Sequence, residues 1–125
     1  MASPSSTALS GFRVIDLGQI YAGPYAGFLL AMAGADVVKV EPPGGEFLRG
    51  RSSVAGGTVP FAMLNACKRA ITLNLKSDRG RELLLELVKD ADVVLENYSP
   101  DTMDRLGLGW ETLRKVNPRL VYASG

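Results

Sequence analysis

The stretch Gly18 to Pro24 (GQIYAGP) holds the first residues suited to chemistry. It joins an apolar run to a proline that opens the next one. Where a strand feeds a helix in this way, backbone N–H groups and the helix dipole face an anion. The spacing is not G-x-G-x-x-G, and no Gly-Lys-Ser/Thr follows to make a Walker loop. Glu41 closes the following apolar run, about where a ribose-binding acid stands in a dinucleotide-binding unit. Without the glycine fingerprint, a tight strand-to-helix turn and a solvated Glu explain the same residues. Lys68, Arg69, Lys76 and Arg105 offer phosphate contacts, Arg as a bidentate fork and Lys as a point charge. For each of them a solvated surface position is the competing assignment. Asn97-Tyr98-Ser99-Pro100 brings an amide and a phenol that can orient a polar ligand and stack on a ring, or else an Asx-type turn into the proline. Cys67 lies beside two cations, but an activated thiol needs a partner base, so a lone buried Cys is the simpler reading.

The 125 residues include no His, which removes a Ser-His-Asp triad, a His-assisted thiol and a His-ligated zinc from this chain. The single Cys cannot form an internal disulfide and suits a reducing, cytoplasmic compartment. Lys and Arg number 14 against 13 Asp and Glu, so a net charge of +1 gives no global field for nucleic acid or an anionic membrane. Leu17 to Ala35 carries no charge, yet Gly18, Gly23, Pro24, Gly27 and Gly34 interrupt it. A spanning helix needs about 20 predominantly apolar residues, so a buried helix after a loop is expected there. Residues 1–10 (MASPSSTALS) lack the basic start and apolar core of a targeting segment and read as a polar leader. With 46% apolar and 22% charged residues, 11–125 reads as folded. A chain of this length buries about two-thirds of its unfolded surface without disulfides.

Regular elements have to position these candidates. Phe12 to Leu17 (FRVIDL) and Asp36 to Glu41 (DVVKVE) read as strands. Between them, Pro24 early and Gly34 late bracket a helix, about Tyr25 to Ala33, that is apolar nearly all round and so expected to be buried on most sides. Pro42-Pro43-Gly44-Gly45 stops the second strand, and Glu46 to Pro60 reads as a long irregular excursion. A short helix near Phe61 to Cys67 and an extended Ala70 to Leu75 follow. Ser77 caps a helix whose Leu83, Leu84, Leu87 and Val88 share one stripe. Asp92 to Glu96 is a third core strand, short helices lie near Asp101 to Leu106 and Trp110 to Val116, and Leu120 to Ala123 is a fourth strand. Strands alternating with helices predict an α/β domain with a mainly parallel sheet, whose ligands bind beyond the carboxyl ends of the strands. Gly18–Gly23, Glu41–Gly45, Asn97–Pro100 and Ser124–Gly125 converge on that edge. Only two residues follow the last strand, as in a fold left incomplete at position 125.

Taken in order, LSGFRVIDLGQIYAGPYAG, GADVVKVEPP, NACKRAITLNLKSDRGRELL, ADVVLENYSPDTMDRLGLGWETL and NPRLVYASG resemble the amino-terminal part of family III CoA-transferases. This CaiB/BaiF group includes formyl-CoA and carnitine CoA-transferases. The resemblance implies a Rossmann-like parallel sheet with flanking helices, forming the amino-terminal part of a longer enzyme whose two subunits interlock as rings. It implies transfer of CoA from an acyl-CoA to a carboxylic acid, begun by attack of an Asp carboxylate on the donor thioester and carried through covalent anhydride and thioester intermediates. In the family that Asp lies beyond position 125, so no catalytic residue is assigned here and the chain alone is expected to be inactive. Coenzyme A or acyl-CoA is implied as substrate, and no metal. Carried over residue by residue, Tyr21 and Ala22 match a loop lining the CoA site. Leu73, Asn74, Leu75 and Lys76 match a segment along the nucleotide end, and Asn97, Tyr98, Ser99 and Arg105 match further CoA contacts. Pro42 stands where some members carry Arg, and Cys67 where many carry Asn. The α-methylacyl-CoA racemases share the fold but tend to carry Gly and an aromatic at positions 97 and 98, which favours the transferase branch. A non-catalytic CoA-binding fragment is the remaining alternative.

Overall fold

Short runs rich in β-branched residues build a five-stranded, all-parallel sheet in a computed structural model that describes residues 6–51 and 58–125. The strands are β1 (Arg13–Asp16), β2 (Asp36–Glu41), β3 (Arg69–Thr72), β4 (Val93–Glu96) and β5 (Val121–Ser124), in spatial order β3-β2-β1-β4-β5. The connections carry α1 (Ala22–Met32), α2 (Val59–Leu64), α3 (Asp78–Lys89), α4 (Thr102–Arg105) and α5 (Trp110–Val116), with a 3-10 turn at Phe47–Arg51. The chain runs outward from β1 to β3 on one side and returns to place β4 and β5 on the other. The order therefore switches beside β1, where sheets of this Rossmann-like kind open a crevice.

A parallel sheet has to be covered on both faces. Successive strand residues point to opposite faces, so Val14 and Ile15 serve different cores. Val14, Val37 and Leu95 pack with Leu30 and Ala31 of α1. Ile15, Val40 and Val94 pack with Leu84 and Val88 of α3, Met103 of α4 and Leu113 of α5. Helix α3 starts where expected: the Ser77 Oγ accepts the Gly80 N–H at 3.1 Å, with Asp78 in the first turn and Lys89 in the last, both favourable to the helix dipole. Leu9, from the polar leader, packs beside Val14, and its N–H donates to the Ala33 carbonyl at 2.9 Å. No helix among the described residues is long and apolar enough to cross a membrane.

Several elements differ from the sequence reading. Ala70 to Leu75, expected only to be extended, supplies β3, which pairs with β2 from Val38↔Arg69 to Glu41↔Thr72 and makes the sheet five strands instead of four. It lies at the sheet edge, with Arg69, Ala70 and Thr72 exposed, and so lacks the apolar run of a central strand. Helix α1 begins at Ala22 rather than Tyr25, with Pro24 in its first turn, where a missing N–H costs nothing. Nor is α1 buried on most sides. Only Gly23, Pro24 and Gly27 are buried, while Tyr25, Leu29 and Met32 remain 53%, 50% and 59% exposed. Its closest contacts are made by glycines, and the described residues leave its bulky outer face uncovered. The excursion after β2 contains the 3-10 turn, α2 starts at Val59, and the middle of the excursion, residues 52–57, lies outside the described residues.

Among the described residues an apolar helix face is uncovered and the edge strands β3 and β5 are unpaired on their outer sides, which favours association. The chain by itself is therefore expected to sediment as a concentration-dependent mixture of oligomers. A single monomeric species at every concentration tested would contradict this account of α1.

Candidate functional site

Between the end of β1 and the start of α1 the chain makes its turn at the carboxyl edge of the sheet. Side chains from four places hold the backbone of that turn. Asp16 Oδ1 accepts the Gly18 N–H at 2.7 Å, and Lys39 Nζ donates to the Gly18 carbonyl at 2.8 Å. The Asn97 amide bridges both sides of Gln19, accepting its N–H at 2.6 Å and donating to its carbonyl at 2.9 Å. Glu46 Oε1 accepts the Ile20 N–H at 2.8 Å. Ile20 sits at φ 62°, a conformation that costs a β-branched residue about 1–3 kcal/mol. Gly18 and Gly23 close the turn against each other: a Cβ on either would lie 2.6 Å from the other's backbone.

Beneath the turn lies a set of buried charges. Lys68 Nζ donates to Asp16 Oδ2 at 2.6 Å, to the Pro24 carbonyl at 2.7 Å and to Asn65 Oδ1 at 2.9 Å, tying β1, α1 and the end of α2 together. A Cβ at Gly27 would come within 2.5 Å of Asp16 Oδ2, so α1 presents glycine to this pair. Arg49 grips Glu41 with two hydrogen bonds of 2.6 and 2.8 Å, and the Glu46 N–H adds a third at 3.0 Å. The Arg49 guanidinium also stacks 4.0 Å from the centroid of the Phe61 ring. Burial pushes Lys39 and Lys68 below the usual lysine value, against the attraction of Asp16. Burial pushes the Glu41 carboxyl up, but Arg49, the Glu46 N–H and Lys39 together outweigh it and hold the group below its ordinary 4.5.

A carboxyl depressed in the folded state stabilises the fold above its unfolded value and loses that contribution as pH falls through its folded value. The melting temperature is therefore expected to drop as the pH is lowered from 4.5, and Glu41→Gln should flatten that part of the profile. Parallel profiles for the parent and the variant would contradict the Glu41–Arg49 assignment.

The structure overturns readings of five single residues. Glu41 is neither solvated nor available to a ribose, since it is 4% exposed and its oxygens are committed to Arg49 and Glu46. The Lys68 side chain is 1% exposed and paired with Asp16, so it is not a phosphate contact. Arg69 opens β3 and bonds Asp36 at 2.9 and 2.6 Å, at the amino end of the sheet, far from the crevice. Cys67 is exposed, in the left-handed turn before β3, instead of buried. Asn97 spends its amide on Gln19, across the sheet, and not on a local Asx turn.

Beside the turn, a cleft of about 550 Å3 opens at the carboxyl ends of β2 and β3. Val40, Leu73, Leu75, Leu106 and the Pro42-Pro43 pair form apolar walls, and the Tyr98 ring and Gln19 complete one side. Burial pushes the Tyr98 phenol above its ordinary value. Lys76 and Asn74 supply polar groups, and Lys76 brings the cleft's one cation among the described residues. The Leu73–Lys76 segment lies tight on α3. A Cβ at Gly80 would be 2.0 Å from the Asn74 carbonyl, which accepts the Ser77 N–H at 3.0 Å and the Ser77 hydroxyl at 2.8 Å.

Of the residues carried over by resemblance, the structure gathers Leu73, Asn74, Leu75, Lys76 and Tyr98 in this cleft. Arg105 stands outside the lining and bonds Thr102, which is part of it, at 3.0 Å. Ser99 faces a neighbouring hollow of about 340 Å3 on the other side of Tyr98. Tyr21 is the exposed N-cap of α1, and Ala22 the first residue of that helix. Sequence reading missed Gln19 and Thr102 as lining residues, and Lys39 and Glu46 beneath the turn. Lys39 carried one signal, a charge in the middle of the Val-rich strand DVVKVE, where a parallel sheet is covered on both faces. Among the described residues no group of three or more His, Cys, Asp or Glu is placed to hold a metal ion.

The model of CoA-transferase family III matches residues 9–125 of this sequence. The chain belongs to that family. It is 48% identical over 122 residues to a formyl-CoA:oxalate CoA-transferase of Streptomyces coelicolor, a match covering 96% of this chain and 30% of that protein. It is also 48% identical over 125 residues to a succinyl-CoA:mesaconate CoA-transferase of Haloarcula marismortui, covering 94% of this chain and 31% of the relative. A crystal structure of a CaiB/BaiF family protein from Brucella suis superimposes with a TM-score of 0.90 at 40% identity, over 96% of this chain and 33% of that one. The family III chain thus spans about 30% of the length of the curated relatives it matches. Its parallel sheet and the turn before α1 belong to the part that is shared.

Proposed function

We propose that this family III chain forms the CoA-binding part of an enzyme that moves CoA from an acyl-CoA to a carboxylic acid. The cleft carries the reading: its apolar walls and the Tyr98 ring suit a flat base, and Lys76 suits a phosphate beside it. The location at the carboxyl edge beside the switch in strand order supports the same ligand class. In this reading Leu73, Asn74, Leu75 and Lys76 hold the nucleotide, with Tyr98, Ser99 and Arg105 around it. Tyr21 and Ala22 belong to a loop lining the CoA site, and Asn97 acts by fixing Gln19. Relatives named for formyl-CoA:oxalate and succinyl-CoA:mesaconate transfer support a carboxylic acid as acceptor. Residues 11–125 then form part of a larger Rossmann-like domain of a cytoplasmic, interlocked homodimer. The nucleophilic Asp comes from outside this chain, and no metal takes part.

Thioester exchange in the protein that carries this chain is the test. Supplied with acyl-CoA donors and carboxylic acids, it should form new acyl-CoA and release the donor acid in equal amount, whereas the 125-residue chain alone should form none. Exchange of an α-proton in D2O without thioester exchange would instead assign racemase chemistry. Binding of CoA with neither reaction would assign a non-catalytic role.

A further inference from the structure

Five successive backbone groups, from the Gly18 N–H to the Ile20 N–H, are each held by a side chain. Three of the residues that hold them, Asp16, Lys39 and Glu46, are 0%, 1% and 1% exposed. Burying charges is costly, and apolar residues of similar size would stabilise this edge of the sheet as well or better. Charges provide what apolar residues cannot, a single course for the turn that includes the left-handed Ile20. Lys39 and Glu46 hold the peptide groups on either side of Gln19, which lines the cleft. Glu46 is in turn set by its N–H bond to Glu41 Oε2, and Glu41 borders the same cleft.

We propose that Lys39 and Glu46 are positioning residues for acyl-CoA, acting through the Gly18–Ile20 backbone to place Gln19 at the cleft. Neither touches the ligand. The identity of the ligand rests on the CoA reading above, whereas the hold on the turn is a property of the fold and can be measured without any ligand.

The test pairs amide hydrogen exchange, read by NMR, with calorimetric titration of CoA, both on the protein that carries this chain. In the parent the Ile20 amide should be protected although the residue is 40% exposed. Glu46→Gln keeps the acceptor and should keep both the protection and the affinity. Glu46→Ala removes it. Ile20 exchange should then rise by about ten-fold or more relative to the Val14 and Val94 amides, and the Kd for CoA should rise by a similar factor, as loss of one charge-assisted hydrogen bond implies. Lys39→Met should weaken CoA binding comparably. Faster exchange at Ile20 with an unchanged Kd would overturn the proposal, as would weaker binding with unchanged exchange. Should Glu46→Ala fail to fold, the parent decides: an unprotected Ile20 amide in a parent that binds CoA overturns this proposal alone. A parent that binds no CoA overturns both this proposal and the CoA reading.

Discussion

Replacing Lys68 by Met is expected to lower the unfolding free energy by about 3–5 kcal/mol, a large share of the roughly 5–15 kcal/mol that holds a domain together. Lys68 makes three hydrogen bonds, and Asp16, which is 0% exposed, would keep only the Gly18 N–H as a hydrogen-bond partner, with Lys39 as the remaining nearby cation. Removing one member of a buried pair leaves the other desolvated and unpaired, which costs more than the pair contributes. The double variant Asp16→Asn/Lys68→Met should therefore lose less than the sum of the two single losses. Lys89→Ala, on the exposed face of α3, should stay within about 0.5 kcal/mol of the parent. Denaturant titrations at neutral pH would measure all four. A Lys68→Met loss no larger than that of Lys89→Ala would mean that the pair does not hold β1, α1 and α2 together.

The second large effect concerns ligand affinity. CoA carries a 3′-phosphate that its dephospho form lacks, a group with close to two negative charges at neutral pH. A charge-assisted contact to such a group is worth about 1.5–3 kcal/mol, or roughly 10- to 150-fold in affinity. Lys76→Ala should weaken CoA binding by that factor in the protein that carries this chain. Arg105→Ala should weaken it too, since Arg105 bonds the cleft-lining Thr102. At least one of the two variants should also lose preference for CoA over dephospho-CoA, and Lys89→Ala should do neither. Calorimetric titration of both ligands decides the matter. Affinities unchanged in Lys76→Ala and Arg105→Ala would make these residues surface charges and move the phosphates elsewhere.

Elements whose signals are local were legible in the sequence. Strand β2 was read with both ends correct, because a Val-rich run meets Pro-Pro-Gly-Gly at one end and Gly-Ala at the other. The Ser77 cap and the apolar stripe of α3 were equally plain. Strand β3 was only partly visible, since an edge strand need not be apolar on both faces. Alternation of strands and helices placed the crevice at the carboxyl edge, and Lys76 was a candidate phosphate contact by residue type, but Leu73, Asn74 and Leu75 entered as ligand contacts only through family resemblance. The buried charges were out of reach for a simpler reason. Lys68 and Asp16 are 52 positions apart, and composition does not distinguish a lysine folded inward from one in solvent. The same holds for Glu41, whose partner Arg49 lies in the excursion that showed no period. Cys67 and the outer face of α1 erred in the other direction, as apolar residues assigned to a core that the described residues do not provide.

The most direct measurement of whether the cleft takes CoA is backbone chemical-shift mapping of the isotope-labelled protein that carries this chain, titrated with CoA. The amides of Gln19, Leu73, Asn74, Leu75, Lys76 and Tyr98 should shift together and saturate with one Kd, while those of Arg69 and Asp36, at the opposite end of the sheet, stay fixed. Shifts confined to the hollow beside Trp110 and Tyr122, or none at saturating CoA, would contradict the assignment.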